Sequence, residues 1–221
     1  MRAIFSIPFV GLNEEGLPLV LNPDGEVTTG ESFFQERDKL DFLKYEGPAD
    51  PLYTGGLNNA FSWKGLHLNV FMTYSFGNKL RLDPVFSASY SDLTAHPKEF
   101  KNRWVVPGDE QYTDIPVILP YRQYYDNRNV RYGYSSYNYS TARIAKGDFI
   151  RLKEISLVYD LPESFIRHLR LTSASVKFAA TNIGLLYADS KLNGQDPEFF
   201  NSGGVASPNP KQFTFTLRFG L

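Results

Sequence analysis

The chain has 221 residues and a formal net charge of -1 at pH 7, so its charge offers nothing to nucleic acid. It contains no cysteine, which removes disulfides, thiolate metal sites and cysteine nucleophiles. Phe and Tyr are abundant, at 18 and 14 residues, yet mean hydropathy is -0.31, and no apolar run reaches the roughly 18 residues of a membrane-spanning helix.

The opening MRAIFSIPFVGLNEEG is a poor signal peptide, because Pro8 interrupts its apolar run and no small-residue cleavage site follows. Either the chain is not exported or it is a piece of a longer protein. Ala3 to Val10 reads as a weak strand, and NPDGE at Asn22 to Glu26 as turn chemistry. Clear strand signals then come as a pair. Leu57, Phe61 and Trp63 alternate with Asn58, Ala60 and Ser62; Lys64-Gly65 marks a tight turn; and Leu66, Leu68, Val70, Met72, Tyr74 and Phe76 form one face of a second strand. That strand, at about eleven residues, is long enough for a tilted bilayer crossing.

From about Asn78 to Gly147 the sequence reads as one long connection. The carboxylates Asp109, Glu110 and Asp114 in PGDEQYTDIP lack the ligand density of a calcium loop. Tyr121 to Tyr139 reads as a loop with seven tyrosines interleaved with Arg and Asn. Its Tyr121, Arg122, Tyr124, Tyr125, Arg128, Arg131, Tyr132 and Tyr134 are the candidate substrate contacts, since aromatic faces stack on sugar rings and Arg bonds hydroxyls. The competing reading is that they pack the loop on itself and against a partner protein.

A strand follows from Phe149, with Ile150 and Leu152 on one face and Ile155, Leu157, Tyr159 and Leu161 on the same face after a one-residue slip, which predicts a bulge near Lys153-Glu154. ESFIRHLRLTS suits one helical turn or a loop. Ser175 to Tyr187 returns to strand, Ala188 to Pro210 is a long connection, and QFTFTLRFGL alternates without fault, with Phe213, Phe215, Leu217, Phe219 and Leu221 on one side and Arg218 on the other. Counting Ala3 to Val10, six strands are expected.

Long connections at one end of the strands and short ones at the other form the pattern of an all-β, antiparallel transmembrane barrel in an outer membrane, with lipid-facing and lumen-facing residues alternating. In that reading Trp63 and Tyr159 sit at the periplasmic girdle, Tyr74, Phe76 and Tyr187 at the extracellular girdle, and the terminal apolar set, Phe213 to Leu221, is a barrel-assembly signal. His67, His96 and His168 show no ligand spacing, and no nucleophile elbow or phosphate loop is present, so the residues give no enzyme and no metal site. The alternative from another class is a soluble, secreted β-sandwich that binds carbohydrate. It needs a second sheet over the apolar face and turns every eight to twelve residues or so.

The stretches GGLNNAFSWKGLHLNVFMTYSFGNKL, RWVVPGDEQYTDIP, GDFIRLKEISLVYDLP, ATNIGLLY, QDPE and PNPKQFTFTLRFGL, taken in order, resemble the C-terminal part of SusC/RagA-type TonB-dependent outer-membrane transporters; GLNEEGLPLVLNPDG resembles a family segment less specifically. The resemblance implies that residues 1–221 supply about the last six strands of a plugged barrel of about 22 strands. It implies uptake of glycan or peptide fragments across a Bacteroidetes-type outer membrane, a SusD-like surface lipoprotein as lid, TonB as the energy-coupling partner, and no cofactor. The family's plug, TonB-contacting segment and signal peptide have no counterpart in these residues, so the chain by itself is expected to be inactive. Its final Leu221 stands where the family usually has an aromatic.

Overall fold

The computed structural model describes residues 2–29, 40–85, 98–168, 170–200 and 209–221. In chain order the strands are β1 (Ala3–Ser6), β2 (Phe9–Leu12), β3 (Pro18–Leu21), β4 (Val27–Thr28), β5 (Lys44–Pro48), β6 (Tyr53–Trp63), β7 (Leu66–Phe76), β8 (Lys79–Arg81), β9 (Ile144–Lys146), β10 (Phe149–Asp160), β11 (Ser173–Ala188) and β12 (Gln212–Gly220). The α-helices are α1 (Tyr121–Asp126), α2 (Arg128–Asn138) and α3 (Glu163–His168). They divide into two compact units: Met1–Asp50, Asn78–Lys146 and Lys191–Asn193 form one, and Pro51–Gly77, Gly147–Ser190 and Gly194–Leu221 the other.

The second unit is a five-stranded antiparallel sheet in the order β12-β11-β10-β7-β6. Its first hairpin forms at the expected turn: Trp63 pairs with Leu66, and the two residues between them both take positive φ, Lys64 at 45° and Gly65 at 79°. Two positive φ values give a turn whose twist matches the flanking strands, and Gly65 adopts its value without a Cβ penalty. The expected bulge is also present. Register slips between Leu152 and Glu154 against both neighbouring strands, leaving Lys153 as the extra residue. The short connection after β10 is closed by α3.

Cross-strand register lines up the alternating residues into rows. Phe61, Leu68, Leu157, Phe178 and Phe215 are successive partners across all five strands, and so are Trp63, Leu66, Tyr159, Val176 and Leu217. The row between them, on the opposite face, is Ser62, His67, Val158, Lys177 and Thr216, and the opposite-face row on the other side of Phe61 is Ala60, Asn69, Ser156, Ala179 and Thr214. β6 and β12 are the sheet's edges.

The expectation of six strands in this sheet is corrected to five. β1 pairs with β5 and β2 with β3, both in the first unit. Pro8 explains the break, since it cannot donate to a ladder and splits Ala3 to Val10 into two short pieces. Ser6 and Ile7, adjacent in sequence, are both buried, which a two-faced barrel strand would not allow.

The first unit also corrects the expectation of a bare loop from Asn78 to Gly147. Asn127 stops α1 and caps α2, its side-chain oxygen accepting from the N–H groups of Asn129 and Val130. Tyr134 and Tyr124 then pack with Leu17, Ile118, Leu119 and Val130, while Ile7 and Val20 form a second cluster with Phe9, Phe42 and Leu43. Ile7 exchanges backbone hydrogen bonds with the end of α2, its N–H donating to the Tyr139 carbonyl and its carbonyl accepting from Thr141. Gly133 lets α2 approach the chain after β4, where a Cβ would stand 2.1 Å from the Thr29 carbonyl oxygen. Gly133→Ala is therefore expected to push the helix off and to cost about 1–3 kcal/mol, the range for overpacking. A lowered thermal midpoint, followed through the fluorescence of the buried Trp104 in a Trp63→Phe background, checks it.

Candidate functional site

The apolar face of the five-stranded sheet is uncovered. Phe61 is 60% exposed, Trp63 69%, Phe213 70% and Phe215 66%, although each sits in regular strand. Leu57, Leu157, Phe178, Leu217 and Phe219 on the same face are exposed as well. A sandwich would bury this surface against a second sheet, and among the described residues no such sheet covers it. The girdle candidates fall at opposite ends of the strands. Trp63 and Tyr159 both flank Leu66 in one row beside the Lys64-Gly65 turn. Tyr74 and Tyr187 are the two cross-strand partners of Ile150 at the other end, and Phe76 stacks on Tyr74 with ring centroids 5.5 Å apart. Of the terminal set, Phe213, Phe215, Leu217 and Phe219 lie within β12, and Leu221 lies one residue past its end.

The opposite face is polar and internally bonded. Ser62 Oγ lies 2.8 Å from His67 Nδ1, and His67 Nε2 lies 3.1 Å from Asp160 Oδ2, so the histidine bridges β6, β7 and β10. This trio is solvent-exposed, and both imidazole nitrogens are occupied by structural partners. Further along, Arg151 and Lys153 meet Asp196 and Glu198 from the β11–β12 connection. Arg218 lies on this face, beside Ser175.

The Tyr-rich segment is helical where a loop was expected, and its inner rings follow the packing reading. Tyr134 and Tyr137 are each 2% exposed and Tyr124 is 6% exposed, so these rings form core instead of a sugar-facing surface. Tyr134 donates to the Val117 carbonyl, and Tyr137 meets Phe9 edge-on at 5.5 Å. The amphipathic helix explains the difference: residues 134 and 137, one turn apart, share the inward side of α2. The outward tyrosines lie under guanidinium groups, Tyr125 beneath Arg131 at 5.4 Å and Tyr132 beneath Arg128 at 5.9 Å. Tyr121 opens α1. Arg122 and Arg128, with Glu15, Gln123, Asp126 and Asn129, line an open cleft of about 760 Å³ at the α1–α2 corner. Thus two of the eight expected contact residues line a concavity, and Tyr124 and Tyr134 are withdrawn from solvent.

The acidic turn and the histidines have structural partners. Asp109 accepts from the Val105 and Val106 N–H groups, and Glu110 from the Trp104 indole at 3.0 Å and from Gly108. The Glu110 carboxyl is held below its ordinary pKa by its own backbone N–H, then by Trp104 and Gly108. Asn22 Oδ1 accepts from Asp24 and Glu26, as its turn sequence requires. His168 contacts the Ser164 carbonyl within α3, and His96 lies outside the described residues.

No protein-family model matches the chain. Among curated proteins it is 25% identical over 178 residues to TonB-dependent receptor P3 of Formosa agariphila, a match covering 80% of this chain and 15% of that protein. In sequence the chain is thus similar to part of a TonB-dependent receptor. Solved structures agree in fold. The RagAB peptide importer in its open-open state matches 98% of this chain and 22% of that one, with a TM-score of 0.66 and 23% identity. The RagAB peptide transporter gives the same coverage and TM-score at 24% identity, and the closed-closed state gives 0.63. The chain therefore spans less than a quarter of the length of these relatives, and it fits their C-terminal portion.

Burial pushes the Tyr137 phenol up to about 12, and burial, with Tyr124 adding to it, pushes Tyr134 up too. Unfolding would return both to the ordinary value of 10.0. A pKa raised in the fold means the unfolded chain loses its protons first, so stability is intact below pH 10 and falls from there toward pH 12. An ultraviolet titration should show these tyrosines ionising only as the helices melt, and Tyr137→Phe should soften the alkaline transition.

Proposed function

We propose that this chain is a wall segment of an outer-membrane, TonB-dependent importer of glycan or peptide fragments. The observation that carries the reading is the uncovered apolar face, continuous across five strands and backed by a polar face in register. In the bilayer the apolar rows meet hydrocarbon, the polar rows line a water-filled lumen, and Trp63, Tyr159, Tyr74, Phe76 and Tyr187 sit at the two interfaces. The terminal strand's apolar set, Phe213, Phe215, Leu217, Phe219 and Leu221, serves barrel assembly. The first unit's cleft, with Arg122 and Arg128, and its outward Tyr125, Arg131 and Tyr132 are the surface offered to cargo or to a SusD-like lipoprotein lid. That RagAB imports peptide supports the peptide arm of the substrate class. The protein acts by passage and not by bond chemistry.

The five-stranded arc has two unpaired edges, β6 and β12, whose backbone groups hydrocarbon cannot satisfy. Residues 1–221 alone are therefore inactive, and transport needs a closed wall with a plug that engages TonB. Growth of a gene-deleted bacterium on supplied peptides or oligosaccharides tests this: a complete receptor carrying this segment restores uptake, whereas the chain alone, exported to the outer membrane, restores none. Uptake with the chain alone would contradict the reading. In the same receptor Val70→Arg, midway between the Leu66 and Tyr74 rows, places a charge on the lipid face and costs roughly 2–4 kcal/mol at mid-depth, while Asn69→Arg, one residue along, faces water. Assembly into the outer-membrane fraction should drop for Val70→Arg and hold for Asn69→Arg.

A further inference from the structure

The polar face of β10 holds part of the long β11–β12 connection in place. Arg151 Nη2 donates to both oxygens of Asp196, and Arg151 Nε lies 3.0 Å from Glu198 Oε2. Lys153 Nζ lies 3.4 Å from the same Glu198 oxygen. The Arg151 and Asp196 side chains are only 7% and 8% exposed. Asp196 also caps the single turn Pro197–Phe199 by accepting from the Glu198 N–H, and Pro197 is buried. The guanidinium lies 5.7 Å from the Phe149 ring centroid, closing its other side.

Arg151 is the cross-strand partner of Thr73, on the face opposite Ile150 and Leu152. The turn is therefore seated against the polar side of the wall, not beyond the strand ends. Separating two charges withdrawn from water leaves each buried without its partner, which costs about 3–5 kcal/mol, so the Arg151–Asp196 pair resists displacement of this turn, although Arg151 Nε meets Glu198 by charge and not by a well-aligned hydrogen bond. We infer that Gln195–Phe199 is an inward-folded shelf in the transport path, anchored by Arg151, which narrows the passage available to cargo. The inference rests on the proposed function, in which the polar face lines the lumen. Arg151 and Lys153 offset Asp196 and Glu198, so the shelf restricts by bulk and contributes no net charge of its own.

Residues 1–221 have no cysteine, so Gln195→Cys adds one thiol to this segment, on the exposed rim of the shelf, and its labelling is read against the same receptor without the substitution. The test is maleimide labelling of the receptor carrying this segment, in the outer membrane of intact cells. A small biotin maleimide should react, and a long polyethylene-glycol maleimide should react about tenfold more slowly or worse. Adding Arg151→Met should remove that difference, as loss of one partner from a buried ion pair frees the other. Asp196→Asn is the second variant should Arg151→Met fail to assemble, and the exchange Arg151→Asp with Asp196→Arg should restore the size discrimination. Equal reaction of both reagents with the parent, or discrimination unchanged by the anchor variants, overturns the shelf while leaving the importer standing. A receptor absent from the outer-membrane fraction overturns the importer, and the shelf with it.

Discussion

Side-chain alternation held in register across five strands is the constraint on which the second unit depends. Each strand alone is only a two-faced ribbon. Pairing Phe61 to Leu68, Leu68 to Leu157, Leu157 to Phe178 and Phe178 to Phe215 turns five ribbons into one apolar surface. A slip of one residue at any pair would move that strand's Phe and Leu side chains to the wet side. The bulge at Lys153 therefore belongs to the design: it absorbs one extra residue so that Ile155 and Leu157 regain the face that Ile150 and Leu152 left. Water is a poor solvent for this surface. A Phe or Leu left exposed forgoes about 1.5–3 kcal/mol of burial, and the nine large side chains named on this face would together outweigh the roughly 5–15 kcal/mol that holds an ordinary domain. Hydrocarbon removes the conflict.

The wet side is not merely the remainder. Ser62, His67 and Asp160 tie three strands near the short turn, and Arg151 with Asp196 and Glu198 ties the long connection near the other end. Between these ends one row, Ala60, Asn69, Ser156, Ala179 and Thr214, is small, and the next, Asn58, Phe71, Glu154, Thr181 and Gln212, is polar apart from Phe71.

The sheet was legible in the sequence because strand period and turn chemistry are local. Lys64-Gly65 announced its own turn, and the phase slip announced its own bulge. The first unit was less legible for the opposite reason. Its strands are two to five residues long, too short for a period to register, and their partners are far away, as Ile7 is from Tyr139 and Thr141. The tyrosines of α2 misled because Tyr is at home in both an interface and a core. The helical spacing of Tyr134 and Tyr137, together with Asn127 as a cap, was the signal for the inward reading. The Arg151–Asp196 pair joins residues 45 apart and leaves no trace in sequence pattern.

Which side of the wall meets lipid decides the function of this sheet. Single spin labels placed in turn along β7, from Leu66 to Phe76, in the membrane-embedded receptor would report collision rates with oxygen, which dissolves in hydrocarbon, and with a water-soluble nickel chelate. An oscillation of period two is expected, with Leu68, Val70 and Met72 favouring oxygen and His67, Asn69 and Thr73 favouring nickel. A flat profile, or the opposite phase, would contradict it.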